Sequence, residues 1–295
     1  QAGGQAGAFY AIQTLRQLLP PEFETANSGI KEWKIPCVKI EDSPRFAYRG
    51  LMLDVGRHYF DVDFIKKYID MLALFKMNRF HWHLTEDQGW RIEIKQLPEL
   101  TQCGGMRGHD LKEENHLHPS YGSGPFTDPN ASNGSGFYTQ EDFVEILKYA
   151  KERHIEVIPE INVPGHARAA IKAMEARYRK LESEGKNVEA EEYLLSDLED
   201  KSEYLSVQDY PDNVVCPCRE SVYTFYETVV DEIIEMHKAA DAPLTTIHTG
   251  GDEVPGGVWE KSPICEKFLA ENDKYETAYD LTYYFRDRLS QILAK

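Results

Sequence analysis

Two adjacent acids, Asp252 and Glu253, follow a pair of glycines in the C-terminal part of the sequence. The residues before them, 242–249, are rich in apolar and β-branched side chains, which is typical of a buried strand. Because glycine has no Cβ, the Gly250-Gly251 pair lets the backbone leave the alternating pattern of a strand, and both acids can then point into one cleft. Two carboxylates at a strand end indicate glycoside chemistry or metal binding. A solvated pair in a surface loop is the alternative that the dipeptide by itself leaves open.

Two histidines, His81 and His83, lie two positions apart in a predicted strand, so their side chains share one face. They could bind a metal, be buried by packing and hydrogen bonds, or contact a substrate. A metal ion needs further ligands at other strand ends, for which His166 and Asp252 are candidates. Arg49, at the start of the first predicted strand, is either part of a surface ion pair or a bidentate ligand of sugar hydroxyls.

The composition narrows the choice of partners. The net charge is −17 over 295 residues, and such an acidic surface argues against nucleic acid and anionic membranes as partners. No apolar run approaches the roughly 20 residues of a membrane span, so we expect none. Five scattered cysteines do not determine the compartment. The chain begins with Gln rather than Met, so we expect an internal start, and a periplasmic or secreted protein.

Helical and strand patterns alternate from residue 49 onwards. The predicted strands are 49–54, 78–84, 155–161 and 244–250, and the predicted helices are 62–76, 139–153, 167–180, 220–239 and 277–294. Helix 62–76 is predicted to place Phe64, Tyr68, Leu72 and Phe75 on one face, and residues 139–142 are predicted to cap the start of the next helix. This alternation predicts an α/β fold, a parallel sheet with helices outside, and four such units are half of a (β/α)8 TIM barrel. A doubly wound sheet is the alternative. It would normally carry a glycine-rich phosphate loop after the first strand, and residues 54–58 do not form one.

The first 44 residues have a different character. Residues 6–19 are predicted to form a helix and residues 32–40 a half-buried strand. These elements are too few for a domain, so we interpret 1–44 as the C-terminal part of an N-terminal α+β domain. Residues 45–295 are then the catalytic barrel domain, truncated after the fourth βα unit.

Four separate blocks of the sequence resemble glycoside hydrolase family 20, the β-N-acetylhexosaminidases, in the family's order. The resemblance covers about residues 6 to 295 and is strongest to the bacterial chitobiase-like branch. The blocks are residues 48–54 with Arg57 and His58, then 80–91, 158–166 and 248–254, which read YRGLMLD, FHWHLTEDQGWR, IPEINVPGH and HTGGDEV.

The resemblance implies roles for five residues. Glu253 is the acid that protonates the leaving glycosidic oxygen, and Asp252 orients the 2-acetamido group of the substrate, which is the nucleophile. Arg49 binds sugar hydroxyls at the non-reducing end, while His166 and Glu86 support the general acid by a hydrogen-bond relay. The implied reaction is exo-acting, retaining removal of terminal β-linked N-acetylglucosamine or N-acetylgalactosamine from an oligosaccharide or glycan, with no metal and no cofactor.

The adjacency of the two acids agrees with this mechanism. A retaining site with two carboxylates needs them on opposite sides of the sugar, about 5–5.5 Å apart. Neighbours at one strand end are badly placed for that, but each can act on one substituent. Two positions depart from the family pattern, because Asn162 and Glu86 stand where aspartate is common. Asn162 removes a negative charge near His166.

Two other functions are compatible with the sequence. One rival is a metal-dependent barrel hydrolase that uses His81 and His83, and the other is a catalytically inactive sugar-binding fragment. A half barrel leaves sheet edges open. We therefore expect this chain to be a fragment, with a second polypeptide as the partner that completes the barrel.

Overall fold

The structure, a computed structural model, describes residues 2–25 and 29–295. The N-terminal segment contains one helix, α1 (Gln5–Leu18), and a single 3-10 turn at Pro21–Glu24. The strand predicted over 32–40 is wrong, since these residues are mostly exposed and pair with no strand that the structure describes. Alternation of side chains does not make a strand without a neighbouring backbone to bond. The predicted 1–44 domain segment also includes residues 1 and 26–28, which lie outside the described part.

Three parallel strands form the sheet, with β2 (Arg79–Glu86) between β1 (Gly50–Asp54) and β4 (Glu156–Ile161). A two-residue strand, β3 (Gly89–Trp90), folds back antiparallel on the end of β2. The register pairs His83 with Asp54 on one side and with Glu160 on the other. The carboxyl ends of the strands therefore meet at one edge of the sheet, as predicted for the barrel face that carries chemistry.

The predicted helices are present with small shifts at their ends, and the described residues contain three further short helices. The helices after α1 are α2 (Val62–Leu74), α3 (Glu99–Gln102), α4 (Gln140–Lys151), α5 (Arg168–Ser183), α6 (Asn187–Glu191), α7 (Glu220–Ala239), α8 (Pro263–Ala270) and α9 (Leu281–Leu293). The capping chemistry predicted for α4 is confirmed, because Thr139 and Asp142 bond each other's backbone N–H groups. None of the described helices is both long enough and apolar enough to cross a membrane.

The core lies between the sheet and the helices that cover it. Trp82 of β2 is fully buried and stacks on Phe143 of α4, with ring centroids 5.3 Å apart. In α2 the buried side chains are Ile65, Ile69, Leu72 and Ala73. Phe64 and Phe75, predicted to share the apolar face, are exposed.

The strand predicted over 244–250 is wrong as a regular strand. The segment makes one parallel bridge, in which His248 bonds the backbone of β4 at Pro159 and Ile161 over 2.9 and 3.0 Å. The next bond of a parallel ladder would need an N–H at residue 159, and proline has none. The segment nevertheless lies beside β4, so the Asp252 end still reaches the carboxyl edge of the sheet. The four-unit barrel fragment remains a prediction.

A buried arginine, Arg91, organises the loops at this edge. Its guanidinium donates five hydrogen bonds of 2.9–3.0 Å to backbone carbonyls, and its side chain is fully buried. The acceptors belong to Val55, Gly56, Gly105, Gly134 and Gly136. Arg91 therefore helps to fasten the long polar, glycine-rich stretch 101–138 to the loop after β1.

Arg91→Met should destabilise the fold by about 3–5 kcal/mol, because it leaves buried carbonyls without a donor. Arg16→Met is the matched control. Arg16 forms an ion pair with Glu24 whose side chains are 39% and 47% exposed, so its loss should cost at most about 1 kcal/mol. Urea unfolding followed by circular dichroism measures both, and equal midpoints for the two variants would contradict the role of Arg91.

Candidate active site

Glu86, the last residue of β2, is a buried carboxylate that faces three nitrogen donors. Its oxygens lie 2.8 Å from Arg57 Nη1, 3.2 Å from His83 Nε2 and 3.1 Å from His166 Nδ1. Its side chain is 1% exposed. Burial alone would raise the pKa of Glu86, but the hydrogen bonds from His166 and His83 and the charge of Arg57 lower it to about 2. Glu86 is therefore an anion that holds its donors in place.

His166 connects Glu86 to the two adjacent acids. It lies in the loop after β4 with φ of 53° and is 2% exposed. Its Nδ1 faces Glu86, while Nε2 lies 3.4 Å from Glu253 Oε2 and 3.6 Å from Asp252 Oδ2. Burial lowers the pKa of His166, but the hydrogen bond and charge of Glu86 outweigh it and raise the value. The imidazole thus links a buried anion to the acids at the cleft.

The glycine pair before Asp252 turns the backbone as the sequence suggested. Gly250 and Gly251 have φ of 64° and 99°, and Glu253 itself has φ of 50°. A Cβ at Gly250 would lie 1.7 Å from Asn162 Oδ1, so a larger residue does not fit there. Asn162 accepts the Gly251 N–H at 3.1 Å and donates to Asp252 Oδ1 at 3.1 Å. Asn162 therefore orients Asp252 through both ends of its amide.

The two acids differ from Glu86 in their exposure. The side chain of Asp252 is 62% exposed and that of Glu253 is 44% exposed. One oxygen of each lies within 4.8 Å of the other and of a nitrogen of His166. Such a pair can contact a ligand in the cleft while being held from behind by His166 and Asn162.

A second buried carboxylate, that of Glu160 in β4, contacts three histidines. His83 Nδ1 and His81 Nε2 lie 2.8 and 2.5 Å from Oε2, and His248 Nδ1 lies 3.1 Å from Oε1. Burial would raise the pKa of Glu160, but hydrogen bonds from His81 and His83 lower it. Glu160 is not among the site residues predicted from the sequence. An acid inside a predicted buried strand is the signal that could have found it, because a buried charge needs partners.

Asp87 is another buried carboxylate that is not among the site residues predicted from the sequence. It accepts the backbone N–H of Arg168 at 3.1 Å and the side-chain amide of Asn213 at 3.0 Å. Burial, followed by the charge of Glu86, raises its pKa to about 6. Asp87 thereby connects the site to the start of α5 and to the segment before α7.

His81 and His83, considered above as a metal-binding pair, direct ring nitrogens at carboxylates. His83 directs both ring nitrogens at carboxylates, Glu160 and Glu86, and His81 directs Nε2 at Glu160. Other groups of acids and histidines are close enough for a shared ion, among them His166 with Asp252 and Glu253. Proximity alone does not identify an ion site, so we assign no metal ligand here.

Arg49 is not brought to the other predicted site residues. It lies just before β1, at the amino end of the sheet, whereas the acids lie at the carboxyl edge. Its Nε donates to the Lys76 carbonyl at 2.8 Å and its Nη1 to the Phe46 carbonyl at 2.7 Å. The guanidinium also lies 5.4 Å from the ring of Tyr10 in α1. Its predicted contact with sugar hydroxyls stays a prediction.

Comparison with known proteins places this arrangement in a family. Residues 46–295 match the sequence profile of glycosyl hydrolase family 20, catalytic domain, and residues 1–43 match that of glycosyl hydrolase family 20, domain 2. A β-hexosaminidase of Vibrio vulnificus is 46% identical over 290 residues, which are 98% of this chain and 33% of the relative. An N,N'-diacetylchitobiase of Vibrio harveyi is 49% identical over 254 residues, 86% of this chain and 28% of the relative.

Solved structures agree with the sequence comparison. A family 20 exo-β-N-acetylglucosaminidase from Vibrio harveyi in complex with N-acetylglucosamine superposes with a TM-score of 0.80 at 39% identity, over 99% of this chain and 40% of that one. A β-N-acetylhexosaminidase from Bacteroides fragilis gives 0.72 at 36% identity, over 99% of this chain and 47% of that one. The chain spans about a third of the length of the curated relatives named above. By its sequence and its fold, this chain belongs to glycosyl hydrolase family 20.

Proposed function

We propose that the protein containing this chain is an exo-acting β-N-acetylhexosaminidase. The observation that carries the proposal is the convergence of Asp252 and Glu253 on Nε2 of His166, whose other nitrogen faces the buried Glu86. The substrate class is a glycan or chitooligosaccharide that ends in a β-linked N-acetylhexosamine. The names of the relatives, β-hexosaminidase and chitobiase, support this class.

In the proposed mechanism the acetamide of the substrate is the nucleophile. Its carbonyl oxygen attacks the anomeric carbon, the bond to the glycosidic oxygen breaks, and the proton of Glu253 passes to that oxygen. Asp252 binds the acetamide N–H and stabilises the positive charge of the oxazolinium ring. A water molecule then attacks the anomeric carbon, the bond from that carbon to the acetamide oxygen breaks, and Glu253 takes a proton from the water. The second inversion gives net retention of configuration. The proximity of the two carboxylates supports these separate roles, since groups so close together are badly placed to lie on opposite sides of a sugar ring.

We further propose that His166 and Glu86 are positioning residues for the acid, as the family resemblance implies. His166 Nδ1–H donates to Glu86, which leaves Nε2 directed at Glu253. The predicted contact of Arg49 with sugar hydroxyls is separate from this set, since its guanidinium donates to the Lys76 and Phe46 carbonyls at the amino end of the sheet.

We also propose that residues 1–44 and 45–295 belong to two domains, the second of which is part of a (β/α)8 barrel. The separate profile matches over 1–43 and 46–295 support this division. The inactive sugar-binding fragment remains the rival function. Release of N-acetylglucosamine from a chromogenic β-glycoside by this chain separates the two.

Glu253→Gln should lower kcat by about 10²–10⁴-fold on a substrate with a poor leaving group, because Gln cannot donate the proton. Asp252→Asn should lower kcat by about 10²–10³-fold, because it removes the charge opposite the developing cation. Steady-state kinetics on chitobiose would measure both effects. Glu260→Gln, an exposed acid seven residues after Glu253, is the control and should leave kcat unchanged. Full turnover in either site variant would reject the role assigned to that residue.

A thiazoline analogue of the cyclised intermediate should bind at least about 100-fold more tightly than N-acetylglucosamine, as expected for a mimic of a high-energy state. Isothermal titration calorimetry measures both ligands on the same preparation. Asp252→Asn should weaken the analogue more than the sugar, since the analogue carries the ring that Asp252 contacts. Equal affinities of the wild-type chain for the two ligands would count against substrate assistance.

A further inference from the structure

His83 lies between two buried carboxylates. Its Nδ1 is 2.8 Å from Glu160 Oε2 and its Nε2 is 3.2 Å from Glu86 Oε1, and its side chain is 7% exposed. A neutral imidazole has one N–H and one lone pair, so it would set the lone pair against one of the carboxylates. The imidazolium donates to both. Because other donors also face both carboxylates and favour their anions, the geometry favours a positively charged His83.

The charged groups around His83 come from every element packed against it. On its own strand they are His81 and Glu86, and on β4 the register partner is Glu160. The remaining charged or titratable groups are Asp54, the register partner on β1, Arg57 in the loop after β1, His166 after β4, and His248 in the segment beside β4. Arg57 bridges Asp54 and Glu86 at 2.9 and 2.8 Å. His83 is the group in this set that touches both buried glutamates.

We propose that His83 is a positioning residue for the general acid, acting through Glu86 and His166. As an imidazolium fixed by Glu160, it holds the Glu86 carboxylate in its orientation, and Glu86 in turn holds Nδ1–H of His166. That leaves Nε2 of His166 directed at Asp252 and Glu253. The inference rests on the proposed function for its catalytic consequence, but not for the protonation state of His83.

The direction of the pKa shifts agrees with the geometry. Burial lowers the pKa of His83, but the hydrogen bonds to Glu160 and Glu86 outweigh it and raise the value to about 10. Replacing this cation by a neutral side chain makes the site more negative by one charge. Arg57 still faces Glu86, so Glu86 stays ionised near neutral pH and His166 should hold its proton to higher pH.

The test compares His83→Gln with His81→Gln in the full chain. Both remove an imidazole from Glu160, but His81 has no contact with Glu86 among those that the structure describes. Histidine ¹⁵N NMR should show both nitrogens of wild-type His83 protonated up to about pH 9. In His83→Gln the titration of His166 should move up by at least about half a pH unit, and in His81→Gln it should stay in place. If hydrolysis is measurable, the pH–rate profile of His83→Gln should move in the same direction.

The results also separate this inference from the proposed function. A neutral imidazole at His83 at pH 7 in the wild-type chain would overturn the inference even if no variant folds. An unchanged His166 titration in a folded His83→Gln protein would overturn it as well. The proposed function would be rejected by different results, namely turnover that survives Glu253→Gln or no turnover by the wild-type chain. Neither of these results alters the NMR outcome.

Discussion

The burial of Glu86 is the constraint on which the rest of the site depends. An ionised carboxylate with 1% exposure is costly unless donors replace its hydration. The donors come from three places, namely Arg57 after β1, His83 on β2 and His166 after β4. These strands are parallel neighbours, so the hydrogen bonds that the Glu86 carboxylate needs connect the carboxyl ends of all three. Asp252 and Glu253 then meet a histidine whose position is already determined.

The loop after β1 reaches Glu86 because two buried arginines hold its backbone. Arg91 binds the carbonyls of Val55 and Gly56, and Arg107 binds that of Arg57 at 2.5 Å. A Cβ at Gly56 would lie 2.7 Å from Cβ of Glu86, so the loop passes directly against the carboxylate's own side chain. The long polar stretch 101–138 supplies backbone carbonyls to the same two arginines. These hydrogen bonds connect the stretch to the loop after β1, beside the site.

Elements with strong local signals were predictable, and those that depend on partners were not. The 3.6-residue pattern and the Thr139–Asp142 cap located α4 correctly, because a helix makes its backbone hydrogen bonds within itself. The segments 32–40 and 244–250 carry strand-like patterns, but a strand needs a neighbour. The first has none that the structure describes, and the second meets Pro159, which lacks the N–H that the ladder requires. The apolar face of α2 was misjudged for a related reason, since packing selected Ile65 and Ile69 over Phe64.

The sequence by itself determined the alternation of strands and helices, the acids at the strand ends and the family resemblance carried by four motifs. It also showed a glycine pair before the acids, but the reason that Gly250 must be a glycine is tertiary and lies in Asn162, 88 positions earlier in the chain. The tertiary structure alone decided which polar side chains meet. It brought His83 between Glu86 and Glu160, joined Asn162 to Asp252, and kept Arg49 at the opposite end of the sheet. The physical reason is that hydrogen bonds between side chains distant in sequence depend on strand register and loop path, and residue spacing along the chain specifies neither.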